Sequence, residues 1–142
     1  MSYVVKDYME KDFPKVDVAS TVLEASKVLV EHDKGYAIVL EKSQPMGIIT
    51  DSDIIKKIIV SEKDASKVMV SEIMSAPLIS VDPEEDLIKT AELLKKNQIK
   101  RVAVVKNGII YGVVTTTTIT QSCGEYVDKS VRDVLRWSVL PF

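Results

Sequence analysis

The stretch Gly47-Ile48-Ile49-Thr50-Asp51-Ser52-Asp53 gathers several residue types that can hold a polar ligand. A glycine lets another group approach the backbone closely, and two isoleucines offer apolar surface just before a strand-to-helix junction. At such a junction the unpaired backbone N–H groups can meet a phosphate, and Thr50 and Ser52 add hydroxyl donors. Asp53, one turn into the helix, is placed to accept both hydroxyls of a ribose, as an acidic residue does in dinucleotide folds. The same residues have a plainer use. Thr50 or Asp51 can cap the helix, and Asp53 can complement its dipole. Spacing alone favours the plainer use.

A second candidate is the basic pair Lys100-Arg101. Arginine offers a planar fork to a phosphate and lysine a mobile point charge, although both also suit a solvated helix-to-strand turn. Catalysis has little to build on. His32 is the only histidine and Cys123 the only cysteine, so the chain has no internal disulfide, no cluster of soft metal ligands and no nucleophile–base–acid set. No cofactor, metal or enzymatic activity is expected. The formal charge of -2 argues against a nucleic-acid surface driven by bulk charge. Lys95 and Lys96 beside Lys100 and Arg101 lack the aromatic platforms that a nucleic-acid site would use. No apolar run reaches the roughly 18 residues of a membrane span, and Met1-Ser2-Tyr3 does not open like a signal peptide, so a cytoplasmic protein is expected.

The elements that must position these residues come in duplicate. Shifted by 65 residues, the chain matches itself without a gap at Val5/Val70, Met9/Met74, Val16/Val81, Asp17/Asp82, Leu29/Leu94, Val39/Val104, Gly47/Gly112, Thr50/Thr115 and Ile54/Ile119. In the second copy, Ala76 to Val81 reads as a short extended lead-in. Asp82, Pro83 and Glu85 give the spacing of a helix start, and Leu87, Ile88, Ala91, Leu93 and Leu94 continue it towards Asn97. Val102 to Val105, the Asn107-Gly108 turn and Ile109 to Thr115 form a hairpin, and a second helix begins near Thr116. The first copy repeats this order from Lys15 to a helix opened by Asp51. Each unit is therefore β-α-β-β-α, in an α/β (α+β) fold with repeats at 1–64 and 65–142. Lys56 to Val70 reads as a helix end and polar linker. Val131-Arg132-Asp133-Val134-Leu135 echoes the two lead-ins, and with Trp137, Leu140 and Phe142 it suggests a closing helix and an apolar tail for a subunit interface.

The duplicated unit resembles a tandem pair of cystathionine-beta-synthase (CBS) domains, a Bateman module, over almost the whole chain. The resemblance is carried by Val5 to Met9, Val70 to Met74, Lys100 to Val105 and Gly47 to Ile54. It implies two pseudo-twofold-related repeats packed through their sheets, a homodimer, and binding of adenosine-containing ligands between the repeats without chemistry. In this family each site joins the Thr-x-x-Asp stretch of one repeat to basic residues before the hairpin strand of the other. Thr50, Ser52 and Asp53 with Lys100 and Arg101 keep both parts, for one phosphate-bearing adenine nucleotide (AMP, ADP or ATP). Adenine is expected between Ile48 and Ile79 with Ser80; for Ile48 and Ile79 plain core packing explains the residue type equally well.

The pseudo-symmetric twin pairs Thr115 and Thr118 with Gly35 and Tyr36, and so lacks both the carboxylate and the cations. It could still accept an uncharged adenosyl group, such as the nucleoside part of S-adenosylmethionine, stacked on Tyr36. Any signal would pass to a separate, regulated protein partner. The competing expectation is a structural or protein-interaction module without nucleotide.

Overall fold

The computed structural model describes residues 3–123; the expected closing helix and apolar tail from Val131 onward lie outside the described residues. Each copy folds as its hydrophobic pattern requires. In the first, β1 (Lys15–Asp17), α1 (Val22–His32), β2 (Tyr36–Glu41), β3 (Gln44–Thr50) and α2 (Asp51–Ile54) follow in order, and α2 runs on into a π turn at Ile55–Ile59. After the short α3 (Val70–Ile73), the second copy repeats the set as β4 (Ser80–Val81), α4 (Leu87–Asn97), β5 (Arg101–Lys106), β6 (Ile109–Thr115) and α5 (Thr116–Cys123). A 3-10 turn at Val5–Asp7 precedes β1, where α3 precedes β4.

There are two three-stranded sheets, β1-β2-β3 and β4-β5-β6. In each, the first pair is parallel and the second antiparallel, with a register slip at Val39/Leu40 in one and at Val104/Val105 in the other. The repeat thus extends to the bulge. The β-α-β portion needs a crossover helix, which α1 and α4 supply.

The helix boundaries follow local chemistry. Thr21 caps α1 in a full capping box with Glu24, and Asp33 ends it in a left-handed conformation. In the second copy the expected start at Asp82 is displaced. Asp86 is the cap, its carboxylate accepting from the Lys89 N–H at 3.0 Å, and α4 begins at Leu87. Asp82 instead folds a turn: its carboxylate accepts from the Glu84 N–H at 2.8 Å and its carbonyl from Glu85 at 2.9 Å. Asp17 makes the same turn with Ala19 and Ser20, which explains the Asp17/Asp82 identity.

The compact units do not coincide with the two halves of the sequence. One unit is Phe13–Ile79; the other joins Met1–Asp12 to Ser80–Phe142. Each copy's lead-in has gone to the sheet of the other copy, where it satisfies backbone groups left open at strand and helix ends. In the 13–79 unit, the first N–H of α1, from Val22, donates to the Val68 carbonyl; in the split unit, Leu87 at the head of α4 donates to Tyr3, both at 2.8 Å.

Two separate cores result. In the 13–79 unit Val16, Val22, Ala25, Leu29, Ala37, Val39, Ile49 and Ile58 close on Val70 and Ile73 of the lead-in. In the split unit Leu87, Ala91, Leu94, Val102, Val104, Val114 and Ile119 close on Val5. The linker, expected to be mere connection, contributes Ala65 and Val68 to the edge of the first core.

Candidate functional site

Within the 13–79 unit the head of α2 is built by three neighbouring pieces of chain. Strand β3 ends at Thr50, which becomes the cap of α2: its hydroxyl accepts from the Asp53 N–H, and the Asp53 carboxylate accepts from the Thr50 N–H, both at 3.1 Å. The lead-in lies against β3, where Ile48 and Ser75 exchange both backbone hydrogen bonds, at 3.0 and 2.8 Å. This approach is what Gly47 allows. A Cβ there would stand 2.6 Å from the Ser75 carbonyl oxygen, so the close neighbour is the protein's own backbone.

Ser75 then reaches the same carboxylate, with its Oγ 3.5 Å from Asp53 Oδ2, while Lys57 Nζ holds Oδ1 at 3.2 Å and also donates to the Ile73 carbonyl at 2.8 Å. The Asp53 side chain is only 13% exposed. A carboxylate has about four lone-pair sites, so an acceptor edge remains after Thr50, Ser75 and Lys57 are served. Ser52 and Asp51 are exposed beside it, and Ile48 is half-buried. Asp51 spends its carboxylate on the Ser52 N–H at 2.8 Å, and its own N–H donates to the Gly35 carbonyl at 2.9 Å. Both readings of the motif are thus compatible with its geometry: Thr50 and Asp53 do cap the helix, and the cap fixes the direction of the carboxylate.

The split unit carries Lys100 and Arg101. Lys100 is exposed, and its carbonyl accepts from the Thr116 N–H at 3.1 Å, as Gly35 does for Asp51. Arg101 is half-buried at the start of β5, paired with Thr115, as Tyr36 is paired with Thr50 in the other sheet. Tyr36 is buried, with 1% of its surface exposed. Ser80 opens β4 opposite Ala103, and Ile79 is the last residue of the 13–79 unit, exposed to 37%.

Thr115 and Thr118 are buried. The Thr118 N–H donates to the Thr115 hydroxyl at 2.9 Å and the two hydroxyls lie 2.8 Å apart, so the capping geometry persists although the aspartate is gone. Sequence reasoning passed over the residues that hold these groups: Lys57, Ser75 and Glu10. The signal was present, since Glu10 and Ser75 directly follow the matched Met9 and Met74.

Among the described residues there is no group of acidic, histidine or cysteine side chains able to hold a metal ion, and no helix is long and apolar enough to cross a membrane.

Two β-α-β-β-α repeats, each with a capped threonine at the strand-to-helix turn, define a paired small-domain module. The chain belongs to the CBS family: the CBS domain signature matches residues 5–65 and 70–124. Modules of this family are regulatory. The uncharacterized protein MK0525 of Methanopyrus kandleri is 30% identical over 122 residues, covering 84% of this chain and 62% of that protein. This chain therefore spans less than two thirds of that relative. The CBS domain protein TA0289 of Thermoplasma acidophilum superposes with a TM-score of 0.82 at 28% identity, over 95% of this chain and 75% of the other. The CBS domain pair of protein MJ0100, solved with 5′-methylthioadenosine and S-adenosylmethionine, gives a TM-score of 0.79 at 26% identity, over 89% and 100% of the two chains.

Proposed function

We propose that the chain is a ligand-sensing regulatory module that binds an adenine nucleotide and passes its occupancy to a separate protein partner. The observation that carries this reading is the Asp53 carboxylate, oriented by Thr50, Lys57 and Ser75 at the end of β3. A rigidly held carboxylate is a suitable acceptor for the two hydroxyls of a ribose, because its direction is fixed before the ligand arrives. Thr50 and Ser52 flank the sugar, Lys100 and Arg101 take the phosphates, and Ile48, Ile79 and Ser80 line the base. The similarity to the MJ0100 pair, solved with two adenosyl ligands, supports the ligand class. An S-adenosylmethionine-type ligand is the variant of this reading that needs no phosphate contact.

The assembly in this reading is a homodimer. Val30, Ile59 and Val60 are exposed to 81%, 65% and 72%, and burying such aliphatic groups against a second copy removes them from water. Sedimentation should find a dimer that Ile59→Glu weakens; a monomer at all concentrations would refute the assembly.

One observation favours the competing interaction module: the capping box alone accounts for both Thr50 and Asp53. Calorimetric titration with AMP, ADP, ATP and S-adenosylmethionine separates the two readings. Saturable binding, weakened by Asp53→Asn and by Arg101→Ala, is the expected result. The asparagine keeps an acceptor for the Thr50 N–H, so lost binding would reflect the charge rather than the fold. No binding of any adenosyl ligand to folded, nucleotide-free protein would leave the interaction module standing.

A further inference from the structure

Thr118 of the second repeat stands at the offset of Asp53, so this repeat has lost its helix carboxylate. It has not lost a carboxylate at that point in space. The 65-residue offset that maps Asp53 to Thr118 also maps Ser75 to Glu10, so acid and hydroxyl have exchanged places. In the split unit Glu10 and Val113 exchange both backbone hydrogen bonds, at 2.8 and 3.0 Å, as Ser75 and Ile48 do in the other. Gly112 permits the approach: a Cβ there would stand 2.8 Å from the Glu10 carbonyl oxygen. From this bridge the glutamate side chain brings Oε1 to 3.4 Å from Thr118 Oγ1, against 3.5 Å between Ser75 Oγ and Asp53 Oδ2.

We propose that Glu10 is the ribose-binding carboxylate of the second repeat, supplied by the lead-in where the first repeat supplies it from the helix. The proposal rests on the adenosyl-binding reading above and extends it to a second acceptor per chain.

Two features support the assignment. Each hydroxyl has one proton to donate, so when Thr118 donates to Glu10 the Thr115 hydroxyl donates to Thr118, and the chain of hydrogen bonds ends on the glutamate. The carboxylate is thereby aimed, as Asp53 is by Ser75 and Lys57. Glu10 is half-buried, a position in which a charge costs free energy that an apolar pair would avoid if this junction only needed filling. The ligand class is that of the reading above, an adenosyl compound, and a probe without a 5′-phosphate reports the diol contact alone.

The test is titration of the full chain with 5′-methylthioadenosine and, separately, with AMP. The wild type should take up about two equivalents of the thioether, one at each carboxylate, because both diols are then served by a charge-assisted acceptor. Glu10→Gln should weaken one of these events by about tenfold or more while Asp53→Asn weakens the other. The exchange variant Glu10→Ser with Thr118→Asp, which installs the first repeat's arrangement in the second, should restore the lost event. A purely structural Glu10 would give no such rescue of binding.

Thioether binding that Glu10→Gln leaves unchanged and Asp53→Asn abolishes would overturn this proposal and keep the nucleotide reading. Failure of the wild type to bind any adenosyl ligand would overturn both. Should Glu10→Gln not fold, the exchange variant decides: its failure to bind a second equivalent refutes the assignment.

Discussion

Ser75 and Ile48, 27 positions apart in the sequence, exchange both of their backbone hydrogen bonds, and Glu10 and Val113 do the same in the other repeat. These bridges fix the ends of β3 and β6 and leave no room beyond a hydrogen atom at Gly47 and Gly112. Gly47→Ala would drive a methyl group to 2.6 Å from a backbone oxygen that cannot swing away. The expected loss is about 1–3 kcal/mol, read from urea unfolding. Gly112→Ala should cost a similar amount, since the added methyl would meet the Glu10 carbonyl oxygen at 2.8 Å as well as the Met9 side chain at 2.7 Å. An unchanged unfolding midpoint in both variants would show that the lead-ins yield easily.

The hairpins differ in the chemistry of their turns. Asn107 and Gly108 have φ of 54° and 76°, and Lys42 and Ser43 occupy the same left-handed region at 49° and 68° without the residues that suit it. Replacing Lys42-Ser43 by Asn-Gly should raise stability by about 0.5–1 kcal/mol, since Asn and Gly take the left-handed region more readily than Lys and Ser while the larger backbone entropy of unfolded Gly offsets part of the gain. Thermal unfolding measures it; a lower melting temperature would contradict the turn assignment.

Lys57 joins the Asp53 carboxylate to the Ile73 carbonyl. Lys57→Met should cost about 1 kcal/mol of stability from the lost charge-assisted bond, and should weaken nucleotide binding by loosening the carboxylate. Calorimetry on a variant whose fold is verified by its circular dichroism checks this. Tighter binding would mean that Lys57 competes with the ligand instead of orienting its acceptor.

Glu24 gives a signed pH effect. Accepting from the backbone and hydroxyl of Thr21 holds its carboxyl below the usual carboxylate value. A depressed carboxyl stabilises the fold above its unfolded pKa, and that contribution is lost as pH falls through the folded value. Glu24→Gln should therefore reduce the stability difference between neutral and acidic solution. Parallel curves of melting temperature against pH for the two proteins would show that the capping box contributes nothing through charge.

The sequence disclosed the repeat, the strand and helix order, and the Thr50–Asp53 junction, because these depend on local periodicity and capping types. Two things escaped it. Asp82 and Asp86 both carry helix-start chemistry, and Asp86 is the cap where the remote lead-in binds this stretch, through Leu87 to the Tyr3 carbonyl, Val5 to Glu85 and Lys6 to Pro83. The partners of Asp53 and Thr118 were invisible for the same reason: Ser75 and Glu10 reach them across a bridge between distant segments. Reading the copies as successive halves hid that each lead-in serves the other copy's sheet. Comparing Glu10 with Ser75 at the repeat offset would have hinted at the exchanged carboxylate, but not at its neighbour.

The division into Phe13–Ile79 and a unit built from both flanks makes the first body an insertion within the second. During synthesis, residues 3–12 leave the ribosome well before the strands they complete exist. They must wait, with Val5 uncovered, while the continuous unit closes behind them. The order of assembly is thus set by connectivity. The first body can finish as soon as Ile79 is out, whereas the second is gathered from segments made before and after it.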